Sequence, residues 1–105
     1  MTDRDRELAS NALDALDRLY DRDTRAVDVW ALVEATADAV TPGQLADALR
    51  KAAIQLREVL SAGLSADEQY GPALDVTDEL RHLLADVWST TAAADAAERQ
   101  ARARR

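Results

Sequence analysis

The chain has 105 residues, no cysteine, one histidine and a formal net charge of −7. This length suits one domain with a modest hydrophobic core, and the lack of cysteine excludes disulfides, thiol catalysis and cysteine-based metal sites. The charged start MTDRDREL is unlike a secretory signal, and no apolar run is long enough to cross a membrane. We therefore expect a cytoplasmic protein, and the excess of arginine over lysine indicates a bacterial source with GC-rich DNA.

The charge is distributed unevenly along the chain. Four arginines stand in the last seven residues, RQARARR, so residues 1–98 alone carry a net charge of −11. Such a body disfavours nucleic acid, whose phosphates attract lysine and arginine, and favours a basic protein partner. We interpret residues 1–98 as a single helical domain and residues 99–105 as a basic C-terminal tail that is frayed or disordered. A nucleic-acid or membrane arm is the alternative interpretation of the tail.

The first predicted helix covers residues 3–21, because apolar residues recur there at helical spacing. Asp3 and Asp5 lie in its first turn, where the helix dipole favours acidic side chains. After a polar break, we expect Asp23 or Thr24 to cap the second helix. The predicted buried face of the first helix consists of Leu8, Ala12, Ala15, Leu16, Leu19 and Tyr20.

Within the stretch from Asp23 to Val40, residues 27–40 are apolar around roughly half of the helical circumference. A helix with so wide an apolar arc has to be covered on several sides. We therefore predict that this helix is the central element of the domain and that the other helices form walls around it. Trp30 is expected to be one of its buried side chains.

A sharp corner and a third helix follow. Thr41 is a candidate N-cap, Pro42 fits the first helical position, and Gln44 completes a capping box. The third helix then runs to about Leu60, and Gly63 suits the left-handed residue that follows a helix.

A second capping box, formed by Ser65 and Glu68, opens the connector to the last helix. We predict only a short turn there, because the pair Gly71-Pro72 interrupts the helical pattern, and Asp75 or Thr77 then caps the last helix. The buried stripe of the last helix is predicted to contain Val76, Leu80, Leu83, Leu84, Val87 and Trp88. These elements predict an all-α fold, a compact four-helix single domain with a short extra turn before the last helix.

The candidate catalytic and metal-binding patterns are weak. Glu79 and His82 match half of the Glu-x-x-His motif of di-iron bundles, but that site needs two such motifs and the chain has one histidine. Glu34 and Asp38 lie one helical turn apart on a strip that the pattern exposes, where nothing separates their pKa values as acid–base catalysis requires. We predict that the protein is not an enzyme and binds no metal or cofactor.

Acidic residues concentrate in the connector and in the start of the last helix. Folding does not require so much charge of one sign, and carboxylates next to an aromatic residue in a connector form a common binding surface. The predicted partner-binding residues are Asp67, Glu68, Tyr70, Asp75, Asp78 and Glu79. A second acidic group around the first corner contains Asp14, Asp17, Asp21, Asp23 and Asp28.

Over residues 8–88, the order of these features resembles the small acidic immunity proteins of the colicin D immunity type. The shared pattern includes the helix start TRAVDVW, an acidic connector with a tyrosine, and a final helix like DVTDELRHLL. The resemblance implies a four-helix inhibitor of a basic tRNA-cleaving toxin, in which connector carboxylates occupy the toxin's basic active-site cleft. It assigns that role to Asp67, Glu68 and Asp75, with Tyr70 between them.

The resulting functional prediction is a non-catalytic immunity or antitoxin-like protein that neutralises a basic toxin, an RNase being one candidate, through its acidic surface. The alternative is a structural α-helical homo-oligomer or adaptor without a toxin partner. Ile54 favours this alternative, because it falls among charged residues of the third helix and is predicted to be exposed. The C-terminal helix is the other candidate for the interface of such an oligomer. A homodimer thus stays open, whereas neither nucleic acid nor a membrane is expected as a partner.

Overall fold

The computed structural model describes the backbone of residues 2–103 and the side chains of residues 2–89 and 96–103. Within that part of the chain it contains four α-helices and no strand. The helices are α1 (Asp3–Tyr20), α2 (Ala26–Ala39), α3 (Gln44–Leu60) and α4 (Tyr70–Ala103). The all-α prediction is confirmed.

The helices pack as a ring around one core. α2 packs against α1 and α3, and α4 closes the ring by packing against the same two helices. The prediction that α2 is central is therefore wrong, because α2 is one wall of the ring and part of its wide apolar arc faces solvent. Of that arc, Ala39 is exposed and Trp30 is only partly buried. The largest fully buried side chains of the core are Leu16, Leu19, Leu49, Leu56, Leu84, Val29 and Val33.

One end of the ring is held by the carboxylate of Asp5. The Thr2 side chain caps α1 and accepts a hydrogen bond from the Asp5 backbone N–H (3.0 Å), and the Asp5 carboxylate accepts one from the Thr2 N–H (3.4 Å). The buried Asp5 carboxylate also accepts a hydrogen bond from the backbone N–H of Thr41 at 3.0 Å. This bond fastens the corner between α2 and α3 to the start of α1.

The predicted capping box of Thr41 and Gln44 is wrong. α3 begins at Gln44, and its N-cap is Gly43, which makes no side-chain hydrogen bond. Gly43 has φ 157° and ψ −160°, a backbone region that only glycine adopts readily. The corner therefore continues to Gly43, with the Thr41 N–H directed to Asp5, before the helix begins.

The opposite end of the ring is held by Tyr70. Its hydroxyl donates a hydrogen bond to the backbone carbonyl of Thr24 at 2.9 Å, which fastens the start of α4 to the corner between α1 and α2. The predicted cap of α2 at Asp23 or Thr24 is wrong, since Arg25 is the N-cap and makes no side-chain bond. The corner turns through Arg22, which has a left-handed φ of 60°.

The connector before α4 confirms one sequence prediction and corrects two. Ser65 and Glu68 form the predicted capping box through bonds of 3.0 and 3.2 Å. Gly71-Pro72, however, lies inside the first turn of α4, where a backbone N–H is not required and a glycine leaves room for the proline ring. Nor does Thr77 cap the helix, because it is buried within α4 and its hydroxyl donates to the Ala73 carbonyl at 2.7 Å. Asp75 likewise lies inside α4.

The second half of α4 projects beyond the ring. Leu84 is fully buried, whereas Trp88, predicted to be buried, is 53% exposed, and the preceding Val87 lies beside Thr2 and Asp5 at the start of α1. Residues 89–103 continue for about 22 Å at helical rise. The molecule accordingly measures 61 × 27 × 17 Å. Residues 99–103 of the predicted tail are helical, residues 104–105 lie outside the described residues, and fraying of the tail stays a prediction.

Candidate functional site

The residues predicted to bind a partner divide into an exposed group and one buried side chain. Asp67 and Glu68 lie in the exposed turn before α4, and the three predicted acidic residues of α4, Asp75, Asp78 and Glu79, are exposed on the helix itself. Asp75 is one helical turn from both Asp78 and Glu79, so the three share the outer face of α4. Asp86 continues the same line. We define the acidic stripe as Asp75, Asp78, Glu79 and Asp86.

Tyr70 does not belong to this surface. It is only 9% exposed and lies in the hydrophobic core, with the Arg22 guanidinium 5.1 Å from its ring centroid and its hydroxyl bonded to Thr24. The prediction of Tyr70 as a partner-binding residue is therefore corrected: its side chain supports the fold. Its hydrogen bond joins residues that are 46 positions apart in the sequence, and helical periodicity does not predict contacts between residues so far apart.

Glu68 has a structural task as well. Its side chain accepts a hydrogen bond from the Ser65 backbone N–H at 3.0 Å. The backbone hydrogen bond from Ser65, followed by the side-chain bond to the same residue, lowers the pKa of Glu68 below its ordinary value. Its carboxylate is thus kept negative, yet one oxygen is already engaged, which leaves Asp67 as the freer carboxylate of the connector.

A groove between α3 and α4 runs beside the acidic stripe and encloses about 490 Å³. Its floor is apolar and its rim is polar, with three carboxylates. The floor consists of Ala48, Ala52, Val76, Leu80 and Leu83, and the rim consists of Gln44, Asp47, Lys51, Gln55, Glu79, His82 and Asp86. We refer to it as the α3–α4 groove. The depression at the Asp5 end, about 380 Å³, shares Gln44 and Leu83 with it and lengthens the apolar floor toward Val87.

Two residues of this site, Asp47 and Asp86, were absent from the predicted set. Asp86 follows Glu79 by seven residues, the spacing that keeps two side chains on one helical face, so extending the stripe by two turns would have found it. Asp47 is on α3, and its approach to α4 depends on how the two helices pack. No pattern within the sequence specifies that approach.

The charges of the groove leave it negative. Lys51 lies 3.6 Å from Glu79 across the groove, and the His82 Nδ1 lies 2.8 Å from the Asp78 backbone carbonyl. These contacts are exposed and weak. The rim thus carries three carboxylates against one lysine, in addition to the neighbouring Asp75 and Asp78.

The second acidic group, around the first corner, is partly paired with arginines, and the apolar floor of the α3–α4 groove does not extend to it. Arg81 lies 2.8 Å from Asp17 and stacks on the Tyr20 ring at 4.7 Å, and Arg18 lies 3.7 Å from Asp14. These arginines offset part of the negative charge there. The comparison favours the groove over the first corner as a site for a basic partner.

The described residues contain no cluster of three or more histidine, cysteine or acidic side chains that could hold a metal ion. His82 is exposed, as predicted. Asp38, one of the two carboxylates weighed as a catalytic pair, lies 3.5 Å from Arg50. An apolar floor between carboxylate rims can bind an elongated segment with apolar and cationic side chains.

Between residues 2 and 103, no helix combines the length and the apolar character needed to cross a membrane. Comparison with known proteins leaves the chain without an assigned family: no family model matches it, and no significant match is found among curated proteins or solved structures.

Proposed function

We propose that this protein is a non-catalytic immunity or antitoxin-like binding protein, which neutralises a basic toxin by holding a cationic segment of it in the α3–α4 groove. The observation that carries the proposal is the combination, in one groove, of an apolar floor and a rim with three carboxylates. Apolar contacts supply affinity, while the carboxylates select a cationic partner and speed its approach.

The dimensions of the acidic stripe support a helical or extended segment as the ligand. Asp75 and Asp86 are separated by about 16 Å along α4, which matches roughly three turns of a bound helix. A basic amphipathic helix would lay its apolar face on Leu80 and Leu83 and direct lysine or arginine side chains to the rim.

The resemblance to the immunity proteins adds the class of partner. In that family the ligand is a basic tRNA-cleaving toxin, and carboxylates of the inhibitor take the positions of RNA phosphates. In this chain we assign that role to the acidic stripe together with Asp67, and we place the protein in the cytoplasm, where such an inhibitor would protect its own cell.

The experiment uses paired charge reversals. The site variant is Glu79→Lys with Asp86→Lys, and the matched control is Asp21→Lys with Asp28→Lys, which changes the net charge by the same amount at the first corner. The wild-type protein serves as bait for a lysate of the native host, and the probes are the basic proteins that it retains at low salt and releases at high salt. Each probe is identified and then titrated individually with each variant.

We expect the site variant to weaken binding of the retained basic protein by at least about tenfold, because repulsion replaces attraction at two positions. The control should change it by less than about threefold, since exposed charges outside an interface act mainly through screened long-range attraction. If both variants weaken binding equally, net charge rather than the groove governs it. If the retained protein is an RNase, the site variant should also inhibit its activity less than the control variant does.

A further inference from the structure

A second surface, on the α2–α3 side of the ring, has a different character from the acidic groove. We call it the Ile54 face and define it by Trp30, Asp38, Lys51, Ile54, Arg57 and Glu58. Ile54 is 61% exposed, as its position in the sequence predicts, and a hollow of about 180 Å³ beside it is lined by Trp30, Ala37 and Ala53. A branched apolar side chain at the centre of charged neighbours leaves apolar surface in water that a partner could cover.

We propose that the Ile54 face is a homodimer interface, in which α3 packs antiparallel to α3 of a second copy across a two-fold axis at Ile54. This interface shares Lys51 with the rim of the α3–α4 groove, and its other defining residues lie outside that groove. In a two-fold interface the same patch is present on both sides, so each contact between two different residues occurs twice.

The charges on the α4 side of Ile54 fit such an axis. Lys51 precedes Ile54 by three residues and Glu58 follows it by four, so both lie on the same side of Ile54 around α3. They line one hollow with Ile54, and Lys51 also lines the α3–α4 groove. Reversing the direction of α3 about Ile54 therefore brings Lys51 opposite Glu58 of the second copy, and Glu58 opposite Lys51 of the second copy. Two complementary pairs result from one symmetric placement.

The opposite side of Ile54, toward α2, differs, because the same two-fold axis places Arg57 of the second copy opposite Arg50, and the Asp38 carboxylate offsets these like charges. Arg57 follows Ile54 by three residues, and the Arg50–Asp38 ion pair of 3.5 Å lies about one turn before Ile54. The two-fold axis brings Arg57 of the second copy to this ion pair, where the Asp38 carboxylate is available to both arginines. Glu34 lines the same hollow and adds a second carboxylate.

The mixture of charge signs indicates which partner suits the face. A basic partner would meet Arg50, Lys51 and Arg57, and an acidic partner would meet Asp38 and Glu58, so either would face repulsion at several positions. A second copy satisfies both signs at once. At the centre, Ile54 of the second copy packs against Ile54 and over the hollow beside Trp30, which removes apolar surface of both copies from water.

The test measures mass by sedimentation equilibrium for the full chain, from about 1 µM to about 500 µM, a range that covers weak and moderate dimers. The wild type is expected to dimerise within this range, and Ile54→Lys to raise the dimer dissociation constant at least about tenfold by burying an unpaired charge. Trp88→Lys is the control, because Trp88 is similarly exposed but lies on α4. Far-UV circular dichroism verifies that each variant remains helical.

A second experiment tests the symmetry itself. Lys51→Glu alone places two carboxylates opposite each other across the interface, and Glu58→Lys alone places two ammonium groups opposite each other. Each variant should therefore dimerise several-fold more weakly than the wild type. An equimolar mixture of the two variants restores both complementary pairs and should regain a dissociation constant within about twofold of the wild type.

Three results would each overturn the proposal. The first is a wild type that stays monomeric at all concentrations. The second is a loss of dimer with Trp88→Lys but not with Ile54→Lys. The third is a mixture of the two charge variants that dimerises no more tightly than its components.

Discussion

The two ends of the helical ring are fastened by single side chains that differ in chemistry. At one end the Asp5 carboxylate accepts a hydrogen bond from the Thr41 N–H, and at the other the Tyr70 hydroxyl donates one to the Thr24 carbonyl. Both bonds join a helix terminus to a distant corner of the chain. Each bond gives a hydrogen-bonding partner to a backbone group in a corner, the Thr41 N–H or the Thr24 carbonyl, that lies outside the helical hydrogen-bond pattern.

The two side chains differ in what they contribute to stability besides these hydrogen bonds. Tyr70 adds a large ring to the hydrophobic core, so its contribution combines burial with one neutral hydrogen bond. Asp5 contributes almost no apolar area, and its contribution depends on the negative charge of its carboxylate. The Tyr70 end should therefore contribute more to stability, and the Asp5 end should contribute less and be sensitive to acid.

The largest expected effect is at the Tyr70 end. Tyr70→Ala should lower the free energy of unfolding by about 3–5 kcal/mol, as for other large-to-small aromatic substitutions in a core, whereas Tyr70→Phe should lower it by only about 0.5–1.5 kcal/mol through loss of the hydrogen bond. Urea denaturation measures both. Tyr20→Ala is the matched control, because Tyr20 is 59% exposed; a Tyr70→Ala effect no larger than that of Tyr20→Ala would contradict the placement of Tyr70 in the core.

A smaller effect, with a pH signature, is expected at the Asp5 end. The hydrogen bond from the Thr41 backbone, followed by contributions from the Thr41 side chain and from Thr2, lowers the pKa of Asp5 below its ordinary value. Because the pKa is lower in the folded state, the stabilisation is present above the unfolded pKa of about 4 and is lost as the pH falls through the folded value.

The measurement compares Asp5→Asn with the wild type by urea denaturation at several pH values from neutral to acidic. The variant should be less stable than the wild type at neutral pH, and the difference should shrink below about pH 4, where the wild-type carboxylate is also being protonated. Asp23→Asn, at the exposed opposite corner, is the control and should show no comparable difference. A gap between wild type and Asp5→Asn that stays constant with pH would contradict the charged fastening.

The smallest effect is expected far from both fastenings. Deletion of residues 99–105 removes no large apolar side chain, and residues 96–103 are exposed on the projecting part of α4. The free energy of unfolding should change by less than about 0.5 kcal/mol, the usual range for surface changes. A marked loss of stability on truncation would show that the end of α4 packs against the ring and contributes to its stability.

The two tyrosines show why the helices could be predicted from sequence more easily than their contacts. Tyr20 lies at the edge of the apolar stripe of α1 and was predicted to be buried, but it is exposed under Arg81. Tyr70 was predicted on the surface and is in the core. Helical spacing assigns a side chain to a face of its own helix, whereas burial at the edge of that face depends on which neighbour covers it.

Local signals were informative where the deciding interactions are local. The start of α1, the capping box of Ser65 and Glu68 and the left-handed Gly63, with φ of 77°, agree with the sequence. The Thr41 box failed because a carboxylate 36 residues away accepts a bond from the Thr41 N–H. The acidic face of α4 could be predicted in the same local way, while the groove beside it needed the packing of α3.

The projecting half of α4 affects how the molecule moves through solution. Its radius of gyration is 15.6 Å, compared with about 13 Å for a compact chain of this length, so a monomer has a raised frictional coefficient. Such a monomer should elute early from a gel-filtration column, at the volume of a heavier globular protein. Its elution volume would therefore resemble that of a compact dimer, and truncation of the helix should delay elution by more than the lost mass accounts for.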